Sequence, residues 1–256
     1  MRRLLMPVKD QTAARAVYLT GLTGLTLSNN SGDATNDIDI AAGAAVSDDT
    51  TIKGRRVMIL ASALTKQLDV AWAAGSAAGG LFTGAIANTT YHVFLISNGS
   101  VVDAGFDTSA TGANAPAGYT WKRRIGSIIR AGATILAFTQ YGDEFVLTTP
   151  VLDYDNATPG TSQVTATLTV PVGLNVLAHV NVFYGVAAGL VLRSPGVTGA
   201  AVSSSASPLA TVGGSSGNHY GVDRLVTNTS AQINFRAEAD NAVRIATRGW
   251  NDLTRR

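Results

Sequence analysis

The sequence predicts an all-β protein made of two antiparallel, jelly-roll-like β-sandwich domains behind a short N-terminal anchoring segment. Three observations carry that expectation. Apolar and polar residues alternate with a period of two in one segment after another. Gly, Ser, Asn and Pro punctuate the chain at the short intervals that suit turns between strands. The only stretch with helical character, Gln11 to Tyr18, is short and is followed by Gly21 and Gly24.

After that stretch the chain reads as strands and turns. Leu68, Val70 and Trp72 alternate with Gln67, Asp69 and Ala71, the mark of a strand with one wet face. Tyr91 to Ile96 is apolar on both faces apart from His92, as expected of a central strand covered on both sides. Ile125 to Ile129 and Thr134 to Tyr141 flank a Gly-containing bend and form a hairpin, and Gly142-Asp143 turns the chain into Glu144 to Thr148. Pro150 and the polar run from Asp153 to Gly160 then read as a domain boundary. Beyond it, Val164, Ala166, Leu168 and Val170 alternate with threonines, and Val176, Ala178, Val180 and Val182 continue the pattern. Further strands are expected at 190–193, 200–204, 222–226, 232–238 and 242–247. The organisation is therefore an anchoring segment over 1–30, an irregular sandwich or meander over 31–150 and a second sandwich over 161–256. No fixed-period repeat points to a solenoid or propeller.

Composition narrows the function classes. Only 14% of the 256 residues are charged while 46% are hydrophobic, so the surface is covered by Thr, Ser, Asn and 27 glycines. Such a surface suits packing against other subunits, because few charges have to shed water. A net charge of +2 provides no field of one sign for nucleic acid, which is an unlikely partner. The absence of cysteine excludes disulfides, thiolate metal sites and thiol nucleophiles. No apolar run is long enough for a signal-peptide core or a bilayer span, so membrane insertion is not expected. The sequons at Asn29, Asn88, Asn98 and Asn228 read as turn residues.

Candidate chemistry is sparse. His92 and His179 fall in expected strands and His219 in a glycine-rich loop, none with the spacing of a metal site. The acid pairs Asp48-Asp49, Asp143-Glu144 and Asp153/Asp155 sit where Asp serves turns, rather than facing each other across a sugar. Asp153, Asp155 and Asn156 lack the rest of a calcium loop. The loop from Gly213 to Gly221 has neither the Gly-Lys-Ser/Thr ending nor the following helix of a phosphate loop. No catalytic residue, cofactor or metal site is expected, and the chain does not read as an enzyme. Ser215, Asn218, His219, Tyr220 and Trp250 are the candidates for a contact loop facing a partner surface. Arg2, Arg3, Lys122 and Arg124 are candidates for contacts with other subunits, Lys122 and Arg124 sharing one face of a strand after Tyr119 and Trp121.

One segment carries a resemblance. Asp107-Thr-Ser-Ala-Thr-Gly-Ala-Asn114, then Pro116-Ala-Gly-Tyr119, then a basic strand ending Arg123-Arg-Ile-Gly-Ser127 resembles a segment of virion structural proteins of tailed bacteriophages. With its flanking strands the likeness covers about residues 85 to 150. It implies a structural protein of the virion, of the tail-fibre, tail-spike or head-fibre type, commonly a homotrimer. The implied partners are other virion proteins and a host surface glycan or protein. Alternatives are a head decoration or connector-associated protein and a glycan-degrading spike.

Overall fold

The structure is a computed structural model that describes residues 21–48, 54–185, 188–197 and 217–255. The helix expected at 11–18, the strand expected at 200–204 and most of the anchoring segment lie outside the described residues. All regular structure described is β, in two compact units: one takes the chain up to Asp143 together with Thr254–Arg256, the other Glu144–Leu253.

The first unit begins with β1 (Leu22–Gly24), β2 (Leu27–Asn29), β3 (Asp37–Ile40), β4 (Gly43–Val46), β5 (Val57–Leu60) and β6 (Leu64–Ala71). It continues with β7 (Ala78–Leu81), β8 (Thr90–Ser97), β9 (Val102–Asp107), β10 (Trp121–Ala131), β11 (Thr134–Ile135) and β12 (Phe138–Tyr141). Strands β1, β4 and β5 form a small sheet, and the large sheet runs β11-β10-β8-β9-β7-β6-β3-β2. Every residue of β8 is buried, as its continuous apolar run requires, and β10 and β11 form the expected hairpin. Leu25, Ile38, Ile40, Val93, Phe106 and Ile125 are fully buried and form the core of this unit. Burying each such side chain stabilises the fold by roughly 1.5–3 kcal/mol.

Two pairings depart from antiparallel order, since β7 runs parallel to both β6 and β9. Gly79 makes the first possible: a Cβ there would lie 1.9 Å from Ala71 O, so only glycine lets the backbones approach. The alternation of β6 also holds a surprise. Leu64, Lys66 and Leu68 point inward, whereas Val70 is exposed. The Lys66 ammonium is satisfied internally by Ala73 O at 2.6 Å, Gly75 O at 3.1 Å and Asp103 Oδ1 at 3.2 Å. Gly75 N in turn donates to Asp103 Oδ2 at 2.7 Å, so the pair ties the turn after β6 to β9. Burial pushes the Lys66 pKa down, against the pull of Asp103.

The second unit contains β13 (Glu144–Asn156), β14 (Val164–Thr167), β15 (Leu177–Tyr184), β16 (Leu190–Arg193), β17 (His219–Val226), β18 (Gln232–Ala237) and β19 (Val243–Asn251). Within it one sheet runs β13-β19-β15-β17 and the other β14-β18-β16, all antiparallel. Successive strands thus alternate between the two sheets, which is jelly-roll connectivity. Val180, Val182, Tyr184, Ile245 and Trp250 of one sheet and Ala166, Ile233, Phe235 and Leu190 of the other are buried. Tyr154 meets Phe235 edge-on at 4.9 Å, and Phe145 stacks on Trp250 at 5.2 Å.

The expected boundary at 150–160 does not match the division into units, which falls between Asp143 and Glu144. Pro150 lies inside β13 because the strand bulges there. Its ladder with β19 jumps from Val146↔Gly249 to Val151↔Thr247, leaving residues 147–150 without partners on β19, where a missing N–H breaks no bond of that ladder. A second shift between Leu152 and Tyr154 accommodates Asp153, which accepts from the Thr169 and Thr247 hydroxyls.

Candidate functional site

Arg2, Arg3 and Ser215 lie outside the described residues. The structure separates the remaining expected contact residues. Trp250 is 1% exposed against Phe145, so it is a core residue and not part of a contact loop. The register slip on β19 between Thr247 and Gly249, opposite Val180 and His179, brings it to the same inward side as Ile245 and Val243. Asn218 is exposed, but His219 and Tyr220 open strand β17 instead of sitting in a loop, and Tyr220 is 76% exposed.

Lys122 and Arg124 both bond within the first unit. Lys122 Nζ donates to Gly112 O at 2.7 Å, and Arg124 is buried, donating to Ser127 Oγ at 3.3 Å and to the Thr254 hydroxyl. Their long stems reach inward from β10, a disposition that strand alternation leaves open.

The segment carrying the resemblance forms the end of β9, a closed loop and the start of β10. Asp107 is buried and gathers the loop: Oδ1 accepts from Ser109 N at 2.9 Å and Asn114 Nδ2 at 2.8 Å, while Oδ2 accepts from Asn114 N at 2.9 Å. Gly112 turns with φ +63 directly against the Phe94 ring, where a Cβ would lie at 3.0 Å. Asp107, Gly112 and Asn114 therefore fix the shape of the loop.

The acids find partners instead of facing one another. Asp48 pairs with Arg123 at 2.8 Å, Asp143 approaches Arg255 at 3.4 Å and Asp155 pairs with Arg244 at 2.9 Å. Asp153 and Asp155 lie on β13 and not in a turn. His92 is buried with Nδ1 2.9 Å from Ser127 Oγ. Among the described residues, no group of three or more His, Asp or Glu is placed to hold a metal ion.

What the sequence reading missed is the outward face of the β13-β19-β15-β17 sheet. The registers align rows across it: Asp155, Arg244, Phe183 and Tyr220 form one, and Leu152, Ala246, Asn181 and Val222 the next. The Arg244 guanidinium lies 5.0 Å from the centre of the Phe183 ring, and Tyr220 packs beside Phe183 at 5.3 Å. Further along, His179 Nε2 lies 2.7 Å from Asn251 Oδ1, and Nδ1 lies 3.3 Å from Glu144, which is also 3.8 Å from Arg224. Burial, more than the nearby Arg224 and Arg248, pushes the His179 pKa below its ordinary value, while Asn251 and Glu144 pull the other way. This face is unusual for a solvated sheet, since Leu152, Tyr220, Val222 and Val226 are all exposed on it. The alternation of Tyr220, Val222 and Arg224 was the available signal, but not which side of the strand faces the core. Comparison with protein-family models and with curated proteins yields no match for the chain.

Proposed function

We propose that this chain is a structural component of a tailed-bacteriophage particle, a homo-oligomeric appendage of the fibre or spike type with no catalytic role. The observation that carries the reading is the segment from Asp107 to Ser127, whose likeness to virion proteins lies in residues that set its local fold. Asp107, Gly112 and Asn114 close the loop, and Lys122, Arg124 and Ser127 anchor the strand after it. A resemblance carried by fold-setting residues argues for a shared structural module more strongly than one carried by exposed residues. The jelly-roll unit and the low charge content accord with it: rigid β-sandwiches present broad surfaces, and few charges oppose docking.

The test is peptide mass spectrometry on density-purified particles released by the bacterium that carries the gene. Peptides of this chain at a stoichiometry comparable to other minor structural proteins are expected. Their absence from particles, with the chain abundant in the lysate, would overturn the reading. The host-contact part is tested separately by asking whether the purified full chain binds host cells and slows particle adsorption.

A further inference from the structure

We infer that the outward face of the β13-β19-β15-β17 sheet is where copies of this chain meet. The inference deepens the reading of a homo-oligomeric particle component by naming the surface. It begins from an anomaly of patterning. In a sheet with one face packed on a core, the other face is normally polar. Here the outward positions of β17 are Tyr220, Val222, Arg224 and Val226, with Tyr220 and Val222 76% and 68% exposed. Leu152 on β13 extends the apolar row, and Phe183 lies between the two edges.

Charge and size identify the occupant. The acidic groups on the face are engaged within it: Asp155 holds Arg244, and Glu144 stands between His179 and Arg224. With Arg224, Arg244 and Arg248 set against Asp155 and Glu144, the face is apolar with a small cationic surplus, and a strongly charged partner would have to break those pairs, so it favours a mostly apolar surface that carries both signs of charge. A second copy of the same face is such a surface, and self-complementarity is what a two-fold contact requires. The area is of the right order. Eight residues of β15 at ~3.4 Å each, across four strands ~4.8 Å apart, project roughly 500 Å². With side chains standing off the sheet, that approaches the ~800 Å² per partner of a standard interface. Strand β17 is an edge of the described sheet, eight residues long with apolar side chains outward, a feature that proteins otherwise cover.

The experiment is light scattering after size exclusion on the purified full chain and three variants. Wild type is expected at an integral multiple of the 26.4 kDa chain mass. Val222→Asp and Tyr220→Asp, both at exposed positions, are expected to fall to one chain mass with unchanged β-sheet circular dichroism. Val57→Asp, at an exposed position on the first unit, keeps the wild-type mass. Because the chain contains no cysteine, Val222→Cys provides an independent readout in an otherwise native surface. A thiol-reactive bifunctional linker long enough to span the face is expected to join its copies, and to leave Val57→Cys unjoined. Folded wild type at one chain mass would overturn the inference together with the homo-oligomeric part of the proposed function, leaving the assignment to the particle standing. Unchanged mass in both Asp variants, or no cross-link through position 222, would overturn it as well. Peptides missing from particles would instead remove the functional reading, whatever the mass.

Discussion

At the scale of single residues, Arg255 shows how much a terminal side chain can hold. It is 4% exposed, donates through Nε to Ile125 O at 2.7 Å and through a terminal nitrogen to Gly142 O at 2.9 Å, and reaches Gly24 O and Leu25 O at 3.3 Å. Truncation would leave several buried carbonyls without donors. Arg255→Ala is expected to lower stability by about 3 kcal/mol, measured by denaturant unfolding, whereas loss of a solvated tail residue would change little. Asp37 argues the opposite sign. Burial raises its pKa above 3.8, with Asp33, Asp69 and Asp39 adding to the rise and a hydrogen bond with Gln67 opposing it. Its charge therefore costs stability above the raised folded value, and that cost disappears as pH falls toward 3.8. Asp37→Asn should stabilise the protein at pH 7 by a few tenths to about 1 kcal/mol, and the gain should close in acid; a variant less stable than wild type at pH 7 would contradict this. Neither role was legible in the sequence, because a terminal arginine and an aspartate near a turn look alike whether solvated or buried. Lys66 is the sharper case: it occupies an inward position of β6 that the period-two pattern assigns to an apolar residue, and its carboxylate partner Asp103 is distant in sequence.

At the scale of elements, the strands were read well where alternation was clean. The buried run of β8, the threonine-faced β14 and the valine row of β15 lie where the sequence puts them. The boundary was misread because proline and clustered polar residues mark both linkers and bulges, and only the β13-β19 register distinguishes the two. The contact loop was misread for a related reason, since a glycine-rich run hid the start of an edge strand. Element-level predictions follow from close approach and from burial. Gly79→Ala would place a methyl 1.9 Å from Ala71 O and should break the parallel β6-β7 pairing, lowering the unfolding midpoint of the first unit sharply; an unchanged midpoint would contradict the pairing. His179, whose folded pKa lies below 6.5, binds its proton less readily folded than unfolded. Its contribution is complete above about pH 6.5 and is lost as pH falls from there toward the folded value. His179→Gln should therefore flatten the acid-side decline in stability, followed by thermal melts between pH 7 and 5, and a decline of equal slope would contradict the assignment.

At the scale of the whole molecule, fold class was legible from periodicity and turn chemistry, because every strand with one dry face records its orientation in the sequence. Jelly-roll connectivity follows only from which strands pair, β13 with β19 and β14 with β18, contacts separated by many residues. The proposed function rests on one segment, and the structure gives the physical content of that segment: a loop gathered by Asp107, followed by a strand whose Arg124 is buried. The outward sheet face adds a surface suited to contact between copies. The central claim, a structural role in a tailed-phage particle, is tested most directly by electron microscopy of intact particles labelled with gold-tagged antibody against this chain. The account predicts gold on tail-end or projecting fibres. Gold confined to the head shell would contradict the appendage and select a decoration role, and unlabelled particles, with an antibody that recognises the purified chain, would contradict the virion assignment itself.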